Sequence, residues 1–305
     1  MKLPYRFTLL ASLVAGLAAL PAVSLEARQS AQGGQQAQNA TTTQSQQKGQ
    51  AAQPPAGQQP TQPGAQPSAQ PAAPKMDPAE EKAYQDFSNV KPTDIQGTIS
   101  AGEDFLKKYP SSAYAGGVYS RLTRAYMAAN DSDKMIPAGE KALQFDPKNV
   151  DVLSLMAYAL PRTYRSDQLG AADKLTESEK DAQQALSLLP TLPKPPNMTD
   201  EQFAATKSSE EAACHSGLGL DDLYQNNVPG MVSELEQAVK LEATPDPIDQ
   251  FLLGVAYVKA GRWNDAVGPL QQCSTETSAI TDRCQSLLAQ VKQHVTPPAP
   301  PKPKP

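Results

Sequence analysis

The chain has 305 residues, of which 39% are hydrophobic, only 6% are aromatic and 29 are prolines, a composition that excludes one uniform globular domain. The net charge is −5, but over residues 76–295 alone it is −11, because the flanks carry seven basic residues and one acid. An acidic body gains nothing from the release of phosphate counterions, so nucleic acid is excluded as the main partner.

The first residues have the pattern of an export signal. Lys2 and Arg6 precede an apolar run without a charge over residues 7–20. This run is shorter than the roughly 20 residues of a spanning helix, which favours a cleaved signal peptide at residues 1–24 over an uncleaved membrane anchor. A lipid anchor at this end is excluded, because the first cysteine is Cys214. The protein is therefore predicted to be periplasmic or secreted.

Two flanking segments have a low-complexity composition. Residues 25–75 are rich in Gln, Pro and Ala, and from residue 29 onward they contain no Leu, Ile, Val or aromatic residue. Such a segment cannot bury enough apolar surface to offset the entropy lost on ordering, so it is predicted to be a disordered linker. Residues 296–305 form a Pro-rich tail with PxxP spacing. We interpret this tail as an extended, polyproline-like spacer rather than as a ligand of SH3 domains.

The body, residues 76–295, has the pattern of successive helices. Alternating runs rich in Val, Ile and Thr are missing, and helix-sized segments with apolar periodicity recur instead. Each segment ends at Pro, Gly or Asn, which punctuate helices. These breaks fall at Pro92, Pro110, Asn130, Pro147, Pro161, residues 190–196, residues 226–230, Pro245 and Gly261.

The body also contains an internal repeat. An offset of 35 residues carries Gly219 onto Gly254 and Leu235 onto Leu270. An offset of 34 residues relates the segment that starts at Tyr119 to the segment that starts at Leu153. The clearest copy is QFLLGVAYVKAGRWNDAVGPLQQC, which starts at Gln250.

This copy resembles the tetratricopeptide repeat (TPR), whose pattern is W-x2-L-G-x2-Y, then A-x3-F, then P. The phrase FLKKYPSSAYA, at residues 105–115, is similar to a segment of exported bacterial cell-envelope proteins of this family. The resemblance implies an all-α fold, a TPR-like right-handed α-solenoid of about five helix pairs over residues 77–295. The last apolar-faced segment, residues 279–294, is predicted to be a C-terminal capping helix.

Motifs that carry catalysis or cofactor binding are missing. The sequence has no glycine-rich phosphate loop and no HExxH, and its two histidines are isolated. Ser216 is adjacent to His215, but neighbours on a helix point in different directions, so they do not form a catalytic pair. Acid pairs such as Glu210-Glu211 and Asp221-Asp222 are interpreted as solvated helix faces. The sequence therefore predicts that the protein is not an enzyme and has no cofactor, metal site or small-molecule substrate.

Two of the three cysteines suggest a disulfide. Cys273 occupies a small core position of the last repeat, and Cys284 lies on the apolar face of the predicted cap. In an exported protein the two can be oxidised to a disulfide, although two buried thiols that fill core space are the alternative. Cys214 is expected to be a buried free thiol.

The candidate partner-binding residues lie on the first helix of each pair and in an insertion of the third repeat. Arg and Tyr residues, which are common in binding hot spots, form a group there within an otherwise acidic body. Such a group suits a partner segment with acidic and aromatic side chains, unless the arginines pair with nearby acids. The family's carboxylate clamp is not carried over, because its Lys and Asn residues are missing. The candidates are Ser120, Arg121, Arg124, Met127, Tyr158, Arg162, Tyr164, Arg165, Phe251, Val255 and Val258.

The function favoured by these observations is a non-enzymatic scaffold of the bacterial periplasm or cell envelope, which binds a partner protein segment in the concave groove of the TPR. One alternative is a self-associating structural protein of the envelope, whose disordered ends contact the cell wall. Another is an accessory subunit of a secretion or assembly complex. The sequence does not identify the partner.

Overall fold

The computed structural model describes residues 77–295. The predicted signal peptide, linker and Pro-rich tail lie outside the described residues. Within 77–295 the chain forms eleven α-helices and two short 3-10 helices, and it has no strand. The α-helices are α1 Pro78–Ser88, α2 Ile95–Lys108, α3 Ala115–Ala128, α4 Ser132–Phe145, α5 Val150–Ala159, α6 Ala171–Leu188, α7 Asp200–Tyr224, α8 Val228–Leu241, α9 Pro247–Lys259, α10 Trp263–Thr275 and α11 Thr281–His294.

The first ten helices form five pairs, and each helix packs mainly against its neighbours along the chain. The first helices of the second to fifth pairs also contact one another in succession, α3 with α5, α5 with α7 and α7 with α9. The final helix, α11, packs on α10. This is the architecture of a TPR-like α-solenoid, so the predicted fold class is confirmed.

Two glycines show the repeat register in three dimensions. A Cβ atom at Gly219 would lie 2.6 Å from Cγ of Leu235, and a Cβ atom at Gly254 would lie 2.5 Å from Cγ of Leu270. In both pairs, therefore, the second helix places a leucine directly against a bare glycine of the first helix. The same two residue types therefore make the same contact one repeat apart, as the offset of 35 residues predicts.

Local side chains explain where the helices begin and turn. Between the helices of the second, fourth and fifth pairs, Asn130, Asn226 and Gly261 adopt positive φ values of 58°, 57° and 72°. Asn and Gly tolerate this left-handed conformation, which ends the first helix of each pair. Seven of the eleven described helices begin after a side chain that accepts a hydrogen bond from their first turn: Asp77, Asp94, Asp131, Asn149, Thr199, Asn227 and Asp246.

The third and fourth pairs depart from the regular repeat. After α5 the chain makes a 3-10 turn at Pro161–Thr163 and reaches α6 only at Ala171. Helix α7 then has 25 residues, whereas α3 and α9 have 14 and 13. The offset of 35 residues relates only the second half of α7, around Gly219, to α9, so the first half of α7 lies outside the repeat register. The available signal was the capping box of Thr199 and Gln202, which marks a helix start.

The cap α11 is covalently attached to the last repeat. Cys273 and Cys284 form a disulfide with their Cα atoms 5.9 Å apart, which lies in the usual range for such bonds. Ile280, which precedes α11, is buried in the same core cluster as the two cysteines. Cys214 is a buried free thiol.

Loss of this disulfide is expected to lower the free energy of unfolding by about 2–3 kcal/mol, because the bond restricts the unfolded chain across a short loop. The measurement is urea-induced unfolding of the oxidised protein with and without a reductant. The double variant Cys273→Ser with Cys284→Ser is the control, since it should not respond to the reductant. Equal stability of the oxidised and reduced protein would contradict the prediction.

Candidate functional site

The first helices of successive pairs form one continuous surface, which we call the inner face, because α3, α5, α7 and α9 contact one another in order. The predicted partner-binding residues lie on α3, α5 and α9 or in the connection between α5 and α6. Their contacts decide which of them a partner could reach.

Arg121, on α3, is attached to the end of α1. Its guanidinium donates hydrogen bonds to the carbonyl oxygens of Phe87 and Ser88, at 3.0 Å each, and to that of Val90. It also lies 4.8 Å from the centre of the Phe87 ring. Carbonyl groups at a helix end lack partners within the helix and carry partial negative charge. Arg121 therefore satisfies the end of α1 and joins the second helix pair to the first.

Arg124, one turn further along α3, pairs with an acid on the next first helix. Its Nε atom lies 2.8 Å from Oδ2 of Asp151, on α5. The Arg124 side chain is 55% exposed and that of Asp151 is 28% exposed, so a partner can still reach this pair. Nearby, Ser120 accepts a hydrogen bond of 3.2 Å from the side chain of Asn149.

Arg162 lies at the junction of three helix pairs and is only 4% exposed. It donates hydrogen bonds to the carbonyl oxygen of Tyr158 and to Ser216, at 2.7 Å each, and pairs with Asp249 at 3.2 Å. Ser216 donates a hydrogen bond to the same carboxylate. The guanidinium also lies 3.4 Å from the centre of the Tyr158 ring, whose hydroxyl bonds Asp246. Arg162 therefore joins α5 to α7 and α9.

Four of the predicted partner-binding residues require correction, because they are buried. Met127, Tyr158, Arg162 and Val255 are 2%, 6%, 4% and 6% exposed. Met127, Tyr158 and Val255 pack in the core clusters. Arg162 instead pairs with the buried Asp249. The alternative interpretation of the arginines, pairing with nearby acids on a solvated surface, therefore describes Arg124, whereas Arg162 pairs with an acid in the interior.

The remaining candidates stay accessible and stay predictions. Phe251 and Val258 are half-buried against the core cluster of the last two pairs. In the connection after α5, the ring centre of Tyr164 lies 4.4 Å from that of Tyr224, and Arg165 donates a 2.8 Å hydrogen bond to the Tyr164 carbonyl oxygen. Ser120, Arg121 and Arg124 complete this set.

One carboxyl group that the sequence analysis interprets as solvated, that of Asp221, is in fact buried, and so is that of Asp181. Asp181 and Asp221 are 4% and 2% exposed. Burial raises the pKa values of Asp181, Asp221, Glu210 and Glu242 to about 7, with neighbouring carboxylates adding to the effect. The register could have revealed Asp221, because the offset of 35 residues carries it onto the fully buried Ala256.

These raised pKa values predict that the protein gains stability on mild acidification. The unfolded carboxyl groups titrate near pH 4 and the folded ones near pH 7, so between these values the folded state binds more protons. The contribution of these carboxyl groups to the free energy of unfolding is fully present below the unfolded pKa and is lost as the pH rises through the folded pKa. The melting temperature should therefore rise by about 4 °C or more from about pH 8 to about pH 5.

Thermal unfolding followed by circular dichroism across this pH range is the measurement. The double variant Asp181→Asn with Asp221→Asn should show a weaker dependence on pH, because two of the responsible carboxyl groups are gone. A melting temperature that falls over the same range would contradict the prediction.

Among residues 77–295, no three His, Cys, Asp or Glu side chains lie close enough together to hold a metal ion. In this described part of the chain, none of the helices combines the length and the apolar character that a membrane span requires.

No family model and no curated protein matches the chain. Among solved structures, it is similar to a thermophilic TPR protein of Thermus thermophilus, with 15% identity and a TM-score of 0.45 over 70% of this chain and 99% of that one. It is also similar to PilW, described as a widely conserved type IV pilus biogenesis factor, with 14% identity and a TM-score of 0.48 over 72% of this chain and 87% of that one. The helix pairs and the repeat register of this chain define a TPR-like fold.

Proposed function

We propose that the chain is a non-enzymatic scaffold of the periplasm or cell envelope, which holds a segment of a partner protein on its inner face. The observation that carries this proposal is the continuous inner face of α3, α5, α7 and α9. Stacked helix pairs create extended surfaces of this kind, and TPR-like solenoids use them for binding.

The location is supported by two features of the chain. Lys2 and Arg6, followed by the apolar run, fit an export signal. The disulfide between Cys273 and Cys284 fits an oxidising compartment outside the cytoplasm.

The contacts revise the chemistry expected of the partner. Because Arg121 and Arg124 already bind carbonyl oxygens and Asp151, they offer little unmet positive charge to an acidic segment. Glu210 lies near the pair of Arg124 and Asp151, and burial, together with the charge of Asp151, raises its pKa to about 7. An acidic partner is therefore not favoured on this part of the inner face.

Site-specific photo-crosslinking tests the proposal. A photoreactive amino acid is placed at Ser120 or Val258, on the inner face, and at the exposed Gln183 on α6 as the control. Crosslinking is carried out in the native envelope. We expect the same partner adduct from both inner positions and none from Gln183.

An adduct that forms equally well at Gln183 would contradict the proposal. Adducts only between copies of this chain would instead support the self-associating envelope protein, which light scattering of the purified protein would confirm by mass.

A further inference from the structure

Helix α9 has one side that is not fully buried. From residue 248 to residue 258 every residue is buried except Phe251 and Val258, which are half-buried. These two residues are seven positions apart and therefore lie on the same side of the helix, with Val255 between them. We call Phe251, Val255 and Val258 the α9 stripe. It consists of apolar side chains only.

The apolar surface continues from the stripe onto α7. The offset of 35 residues carries Leu223 onto Val258, and both residues are half-buried against the same core cluster. Tyr224, which follows Leu223, is also half-buried and packs its ring on that of Tyr164. The ends of α7 and α9 therefore present aliphatic and aromatic side chains side by side.

The chain leaves α11 at the end of the α9 stripe that carries Val258. The ring of His294, the last residue of α11, stacks on Trp263, the first residue of α10, with the ring centres 4.2 Å apart. Trp263 follows Val258 by five residues around a tight turn. Val295 and Val258 also pack on the same core cluster. The Pro-rich tail, residues 296–305, therefore begins beside this end of the stripe.

The length of the tail and the order of its residues match α9. An extended, proline-rich chain rises about 3.1 Å per residue, so residues 296–302 span about 19 Å. A helix rises about 1.5 Å per residue, so Val258 and Asp246 lie about 18 Å apart along the axis of α9. A tail that runs from Val258 toward the start of α9 thus places its uncharged residues on the stripe and brings Lys302 and Lys304 to Asp246.

The start of α9 is rich in carboxyl groups. Asp246 and Glu242 are half-buried there, and the buried Asp249 pairs with Arg162. Burial, together with the charges of Asp249 and Asp246, raises the pKa of Glu242 to about 7, so these carboxyl groups are close enough to act on one another. Lysines brought to this end meet opposite charge, whereas only uncharged residues of the tail come near the exposed Lys259 at the other end.

We propose that the Pro-rich tail of the chain docks on the α9 stripe, with its prolines over Val258 and Phe251 and with Lys302 and Lys304 beside Asp246. This inference goes beyond the proposed scaffold function, because the occupant is part of the chain itself. A partner that reaches Val258 then has to displace the tail.

Two physical effects favour this occupant. Proline-rich segments are already extended, so they lose little conformational entropy when they dock in an apolar groove. The tail is also tethered beside the stripe, and a short tether gives an effective concentration in the millimolar range. A modest contact is therefore enough to keep the stripe occupied.

Photo-crosslinking within the purified full chain tests the proposal. A photoreactive amino acid replaces Ala299 in the tail, and the control position is Gln59 in the linker. Trypsin does not cleave before proline, so the tail stays in one peptide, residues 293–305, and α9 lies in another, residues 241–259. We expect an adduct that joins these two peptides, and no adduct of Gln59 with residues 241–259.

Substitutions in the tail test the contacts without changing the helices. Lys302→Glu with Lys304→Glu should lower the yield of the adduct by about threefold or more. Serine in place of the four prolines of residues 297–301 should lower it as well, because the apolar contact and the extended conformation are lost. The matched control is Lys107→Glu with Lys108→Glu at the exposed end of α2, which should leave the yield unchanged.

The proposal is overturned if the tail forms no adduct with residues 241–259, if Gln59 forms as much, or if the tail variants crosslink like the unchanged chain. A mixture of isotopically labelled and unlabelled chains shows whether the adduct lies within one chain. Adducts that join labelled with unlabelled peptides would assign the stripe to the tail of a second copy and would also overturn the proposal. Crosslinking of a partner at Ser120, on α3, does not involve the tail, so the scaffold function is tested separately.

Discussion

Gly217→Ala is expected to lower the free energy of unfolding by about 3 kcal/mol. Gly217, on α7, lies where this helix crosses α5, and a Cβ atom there would overlap the backbone carbonyl oxygen of Ala157. A side chain could rotate out of the way, but a backbone carbonyl group in the last turn of α5 cannot move without shifting that helix. The same oxygen accepts a 2.9 Å hydrogen bond from Ser178, which a shift would also disturb.

The matched control is Gly268→Ala. Gly268 also lies in a helix, but a Cβ atom there would meet nothing within 4 Å. Because Gly268 precedes Pro269, which disfavours a Cβ on a helical residue before it, alanine there should change the free energy of unfolding by less than about 1 kcal/mol. Urea-induced unfolding measures both variants, and a similar effect of the two substitutions would show that the crossing of α5 and α7 is not tight.

Arg162→Ala is expected to cost about 3–5 kcal/mol of stability, because it leaves the buried Asp249 without its cationic partner. The control is Arg165→Ala, which removes a partly exposed arginine from the same connection and should cost less than about 1 kcal/mol. Both are measured by urea-induced unfolding at neutral pH.

A double variant separates the loss of the charge pair from the loss of packing. Arg162→Met together with Asp249→Leu removes both charges and keeps apolar volume, so it should recover a large part of the stability that Arg162→Ala loses. If the double variant were as unstable as Arg162→Ala, the isolated carboxylate would not be the cause.

The fold was predictable from the sequence because the residues that recur at a fixed spacing are the residues that pack against one another. Gly219 and Leu235 recur as Gly254 and Leu270, and each glycine receives the leucine of its own pair. The first half of α7, residues 200–211, does not belong to this repeat register, because none of its residues is fully buried and its apolar periodicity is therefore weak.

The candidate site was less predictable than the fold, because the pattern shows residue types but not their partners. Arg162 and Asp249 lie 87 residues apart in the chain, and only the stacking of the third, fourth and fifth pairs brings them together. The sequence indicated that arginines and tyrosines would gather near the end of α5. It did not indicate that Tyr158 and Arg162 would be buried.

The junction at Arg162 has a consequence for the cooperativity of unfolding. In most solenoids each repeat is coupled only to its immediate neighbours, so the stack can fray one repeat at a time. Here one side chain on the third pair bonds Ser216 in the fourth pair and Asp249 in the fifth. These three pairs therefore share an interaction that none can lose alone, and the C-terminal part of the stack should open as one unit while α1 and α2 fray first.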